Sequence, residues 1–132
     1  MRVGLVPDAG LFYTLPRMVW LQRAKELLLS ARELDAATAR DWGMVNEVVP
    51  AESIMDRARA IAASFTTASA AGIGLIKSAL GRTFESDLAS MLNLEAAAQG
   101  IAFSTDYHRA AARRFVDKQP PLFQWLPAAS KK

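Results

Sequence analysis

Apolar residues in this chain recur first at strand-like and then at helix-like spacing, with breakers between the runs. Residues 3–6 form a short apolar stretch closed by Pro7-Asp8-Ala9-Gly10. That pattern predicts a strand or extended piece entering a turn, because proline fixes φ and glycine relieves it. From Arg17 onward, Met18, Leu21, Ala24, Leu27 and Leu28 fall at helical spacing, with Pro16 suited to the first turn. Asp35 is placed to cap a short second helix holding Ala36, Ala37 and Ala39. Gly43, just after Trp42, is expected to take a left-handed conformation at its end. Residues 44–49 are rich in β-branched side chains, partly alternate and stop at Pro50, which predicts a short strand.

Beyond Pro50 the pattern is helical. Ile54, Ala58, Ile61, Ala62 and Phe65 share one amphipathic face. Further helices are predicted over residues 70–80 and 85–103, the latter with Leu88, Leu92, Glu95 and Ala98 marking its register. Another is expected from a cap at Asp106 to Asp117, since Pro120-Pro121 cannot continue a helix. Residues 122–132 read as a tail lying on the surface or reaching a partner. The expected class is mainly α with two or three short strands, organised as residues 1–50, 51–121 and 122–132. Two short extended pieces do not make a stable sheet by themselves. They pair either with something outside this chain or with another copy of it.

Composition narrows the classes. With 52% hydrophobic and 22% charged residues, the 132-residue chain resembles ordinary globular domains. No run approaches the roughly 18–20 apolar residues that span a bilayer. Pro7 and Asp8 interrupt the N-terminal apolar stretch, unlike a signal peptide. Zero cysteines exclude disulfides and thiolate metal sites and are compatible with the cytoplasmic location expected here. The net charge is +3, and Arg109, Arg113, Arg114 and Lys118 gather without a nucleic-acid-binding motif around them. Neither a nucleic-acid nor a membrane partner is expected. A single histidine, His108, makes no metal cluster or triad and is expected to face solvent. Gly72-x-Gly74 lacks the third glycine of a dinucleotide loop and reads as a close helix contact.

Asp8 stands apart. It lies between Pro7 and Gly10, followed by Leu11, Phe12 and Tyr13. On one reading, partial burial in that apolar lining makes it a better base near neutral pH. On the other, it satisfies turn amides, as aspartate commonly does.

Five segments, in order, carry a resemblance to a known family. Gly4-Leu5-Val6-Pro7-Asp8-Ala9-Gly10 with Leu15-Pro16-Arg17 is the first, and the helix ending Glu26-Leu27-Leu28-Leu29-Ser30 the second. Trp42-Gly43-Met44-Val45-Asn46-Glu47-Val48-Val49-Pro50, Gly74-Leu75-Ile76-Lys77 and Phe115-Val116-Asp117-Lys118-Gln119-Pro120-Pro121 follow. Together they resemble the C-terminal half of the crotonase (enoyl-CoA hydratase/isomerase) family. The Pro-Asp-x-Gly form is most similar to isomerases of ring-type or enoyl acyl-CoA esters, including those of phenylacetate breakdown.

The resemblance implies a helical assembly part of a crotonase-like α/β subunit, with the N-terminal ββα core outside these residues. It implies an acyl-CoA substrate, coenzyme A entering as part of that substrate with no separate cofactor or metal, and a homo-oligomer, trimeric or hexameric. Asp8 is then the candidate proton shuttle. Pro7, Gly10, Leu11 and Phe12 would line the substrate, and Phe115 and Lys118 would approach coenzyme A. Both hydratase glutamates and the oxyanion-hole amides belong to the part upstream. The chain by itself is therefore expected to be inactive. A non-catalytic oligomerisation or partner-binding module is the competing expectation. Ala31, where the family usually has glycine, and Gln99, where some hydratases carry an aromatic, are departures.

Overall fold

A computed structural model describes residues 4–126. Six α-helices follow in order: α1 (Leu11–Ser30), α2 (Ala36–Asp41), α3 (Ile54–Ser64), α4 (Ala70–Leu80), α5 (Leu88–Phe103) and α6 (Asp106–Val116). Short 3-10 turns at Ala51–Ser53 and Phe65–Thr67 precede and follow α3. The chain divides into two compact units that part between Ile54 and Met55.

In the first unit, α1 begins six residues before the predicted start and carries Pro16 in its interior. It is two helical segments joined at Trp20, whose φ 66 and ψ 159 are not helical. The reason lies in the spacing of the core. Leu15, Val19 and Ala24 are the buried residues, and Leu27, Leu28, Trp42 and Met44 pack partly against them. Leu15 and Val19 are four apart and share a face. Ala24 lies five beyond Val19, so an unbroken helix would swing it about 140° away. The break at Trp20 resets the register and lets both segments serve one core. Met18 and Leu21, which fall at helical spacing with Ala24, are exposed while Ala24 is buried.

Helix α2 follows its local signals. The Asp35 carboxylate accepts from the Thr38 backbone N–H at 2.8 Å and from its hydroxyl at 2.9 Å. These bonds, backbone first, hold Asp35 below the usual carboxylate range. Gly43 has φ 78, and the bonds Gly43 N–H to Arg40 O and Met44 N–H to Ala39 O, both 2.9 Å, complete a Schellman ending. Two guanidinium groups approach the Trp42 ring, Arg23 at 5.0 Å and Arg32 at 5.1 Å from its centroid. Arg32 is itself paired with Glu26 at 2.9 Å.

The two predicted strands form no ladder among the described residues; both segments are irregular or bent. Val3 lies outside the described residues. A strand needs an edge to pair with, and these residues supply none. What holds is the mainly helical class.

In the second unit, α4 packs on α5 and α5 on α6. Each of these helices opens on a side-chain cap: Ser69 accepts from Gly72, Asp87 from Ser90 and Thr105 from His108. Helix α5 therefore starts at Leu88 rather than residue 85, and Thr105, not Asp106, caps α6. Phe65 stacks on Phe123 (5.9 Å between centroids) and meets Trp125 edge-on (5.3 Å), so the tail returns onto the turn after α3. The part of the tail from residue 127 lies outside the described residues. Among the described residues, this unit buries none of its side chains fully. No single helix is long and apolar enough to cross a membrane.

Large exposed apolar side chains among the described residues include Leu5, Val6, Leu88, Phe115 and Val116.

Candidate active site

The turn that presents Asp8 is tightly specified. Ala9 (φ 51) and Gly10 (φ 78) are both left-handed, and the Leu11 N–H donates to the Asp8 carbonyl at 3.0 Å. Positive φ at both central residues is the mark of a type I′ turn. Gly10 then serves as the N-cap residue of α1, its carbonyl accepting from the backbone N–H of Tyr13 and of Thr14, each at 2.9 Å. The Thr14 hydroxyl donates to the same carbonyl at 3.1 Å. Pro7 fixes the entry and α1 fixes the exit, so the Asp8 backbone is held on both sides.

The carboxylate itself is exposed. The partial burial that one of the two readings required is not met in this chain, because Leu11, Phe12 and Tyr13 are themselves open to solvent. Beside the turn lies an apolar cleft of about 290 Å³ lined by Leu5, Val6, Pro7, Leu11, Leu27, Leu28 and Ala31. Two of the predicted substrate-lining residues, Pro7 and Leu11, are on its wall; Gly10 and Phe12 are not. Leu27 and Leu28, which show in the sequence only as helical spacing, also line the cleft. Nothing local in the sequence indicates that the end of α1 returns to the entry segment. One turn into α1, the Arg17 guanidinium covers the Tyr13 ring at 3.4 Å and donates to the Tyr13 carbonyl at 3.0 Å.

Phe115 and Lys118 lie in the other unit, at the end of α6. Phe115 is 85% exposed and lines a cleft of about 640 Å³ together with Tyr107, His108, Val116, Gln119 and Phe123. His108 is half-buried and meets Phe103 edge-on at 4.7 Å, so it does not face solvent as expected. Lys118 is exposed and left-handed (φ 53). Its N–H donates to Phe115 O at 3.2 Å, and Gln119 N–H to Arg114 O at 2.9 Å. This is the Schellman ending of α2 again, with lysine where that helix has glycine. Arg114 Nε closes the loop on the Pro120 carbonyl at 2.8 Å. Ala31, the C-cap of α1, is left-handed as well (φ 50, ψ 31). Alanine thus takes a left-handed conformation at a position where the family resemblance has glycine.

A helical fold with one tightly specified turn at Asp8 does not name a family by itself; the comparisons do. The sequence profile of the enoyl-CoA hydratase/isomerase family matches residues 1–125. The chain belongs to that family. It is 34% identical over 122 residues to the 1,2-epoxyphenylacetyl-CoA isomerase of Escherichia coli, covering 92% of this chain and 47% of that protein. It is 31% identical over 117 residues to a short-chain-enoyl-CoA hydratase of Clostridium acetobutylicum, covering 89% and 45%. The crystal structure of an enoyl-CoA hydratase/isomerase from Cupriavidus metallidurans superposes with a TM-score of 0.91 at 50% identity, covering 98% of this chain and 49% of that one. The chain thus spans about half the length of the relatives it matches, and its helices correspond to the C-terminal helical part of the fold.

Proposed function

We propose that these residues contribute to an acyl-CoA double-bond isomerase in which Asp8 moves the proton. The observation that carries the reading is the Pro7-Asp8-Ala9-Gly10 turn, which holds the Asp8 backbone next to an apolar cleft that Pro7 and Leu11 line. A carboxylate so placed takes a proton from a carbon activated by the thioester, leaving an enolate, and returns it to a different carbon of the same chain. The double bond moves and no water is consumed. The enolate needs preorganised donors, usually the largest single catalytic contribution. Those amides would come from the part of the fold that this chain does not span.

The finer reading is a ring-type acyl group of the phenylacetate class, supported by the name of the Escherichia coli relative. Phe115 and Lys118 would meet the coenzyme A portion, the lysine supplying charge to a phosphate. No further cofactor enters the scheme. The assembled protein would be a cytoplasmic homo-oligomer.

A chimera tests this. The matching half of the Cupriavidus metallidurans protein is replaced by this chain and supplied with a non-conjugated enoyl-CoA. The expected product is the shifted double bond; a water adduct as sole product would refute isomerisation. A second reading, a non-catalytic oligomerisation or partner-binding module, is favoured by the absence of a fully buried residue from the second unit's described residues. A chimera that assembles yet turns over nothing would support it.

A further inference from the structure

We infer that Trp20 is a positioning residue of the proposed site: the break it makes in α1 builds the apolar cleft next to the Asp8 turn. This rests on the reading of that turn and cleft as the place of the acyl group, and the test below separates the two.

The cleft joins residues that a continuous helix would hold far apart. Leu11 opens α1, while Leu27, Leu28 and the C-cap Ala31 end it. All four line one cleft of about 290 Å³, together with Pro7. In an unbroken helix the rise from Leu11 to Leu27 is about 24 Å, and to Ala31 about 30 Å. A cleft of that volume does not span such a distance. Helix α1 therefore turns back between its two segments. Pro16 keeps helical φ and ψ, so the reversal is made at Trp20, with φ 66 and ψ 159.

The near wall of the cleft does not depend on the break. Pro7 and Leu11 are held by the turn itself, through the bonds that Gly10 and Asp8 accept from the start of α1. The far wall does depend on it, because Leu27, Leu28 and Ala31 all lie beyond residue 20. Trp20 is 81% exposed and its side chain lines no part of this cleft. It acts through its backbone. Glycine visits that backbone region readily, whereas a β-branched residue at positive φ is a strong outlier.

Two measurements test this. The chain has no cysteine, so spin labels at Phe12→Cys and Leu29→Cys report the two segments of α1 alone. A straight helix puts these positions about 25 Å apart. The natural chain and Trp20→Gly should both read well below that, and Trp20→Val should read longer than either. The second measurement uses the chimera with the Cupriavidus metallidurans half and a non-conjugated enoyl-CoA. Trp20→Val should raise KM about tenfold or more with kcat little changed, since the far wall moves and the Asp8 turn does not. Trp20→Gly should restore the natural KM. Mere destabilisation would lower kcat through the amount of active protein and leave KM alone. Labels at the straight-helix distance in the natural chain overturn the inference. So do labels that stay put in Trp20→Val, or labels that move apart there while KM holds. If no variant moves the double bond, the isomerase reading falls by itself. Calorimetric affinity for the acyl-CoA then replaces KM, with the same outcomes deciding the role of Trp20.

Discussion

At an exposed position inside a helix, replacing alanine by glycine costs about 1 kcal/mol. At Trp20 the order should reverse. Trp20→Ala and Trp20→Gly both remove the mostly exposed indole, so its modest packing loss cancels between them. They differ in the backbone. Alanine at φ 66 and ψ 159 keeps the Cβ strain, about 1–3 kcal/mol, which glycine lacks. Against that, glycine loses about 0.5–1 kcal/mol more conformational entropy on folding. The net expectation is that Trp20→Gly is more stable than Trp20→Ala by about 1 kcal/mol. Ala97, exposed within α5, is the control, and Ala97→Gly should cost about that much. Urea unfolding followed by far-UV circular dichroism measures all of these variants. Equal stabilities, or an alanine variant more stable than the glycine one, would mean that Trp20 is not strained and that the break in α1 has been misread.

Three further outcomes follow from the same geometry. Ala31→Gly and Lys118→Gly should each raise stability by about 1 kcal/mol in urea unfolding, since both residues are left-handed at helix ends. Phe65→Ala should cost about 1–2 kcal/mol through its two aromatic contacts and should raise the quenching of Trp125. Hydrogen bonds led by the backbone N–H of Thr38 and of Ser90 lower the Asp35 and Asp87 carboxyls below 3.8 in the folded chain. Their contribution to stability is therefore complete above that value and is lost as pH falls through the lower folded values. Acid titration of helicity should show this decline, and Asp35→Asn with Asp87→Asn should flatten it.

The sequence exposed what is local. Asp35 as a cap, Gly43 as a left-handed end, and α4 from 70 to 80 depend on neighbours within four residues, and each is found as expected. The register of α1 was hidden because Met18, Leu21, Ala24 and Leu27 also fit an unbroken helix, and no glycine marks the break. Residues 44–49 carry strand composition, but strand formation depends on an edge that lies in another segment. At the site, the Pro7-to-Gly10 turn was legible from its residue types. The cleft beside it was not, because Leu27, Leu28 and Ala31 reach it only through the fold of α1. Of the two readings left open for Asp8, partial burial is not met, because the residues following it are too exposed to cover it.

The central claim is that Asp8 moves the proton, and one measurement addresses it directly. The chimera with the Cupriavidus metallidurans half is assayed with and without Asp8→Asn, following double-bond migration in a non-conjugated enoyl-CoA alongside calorimetric acyl-CoA binding. Loss of migration with binding largely unchanged is the predicted result. Migration at an unchanged rate in the Asp8→Asn protein would contradict it.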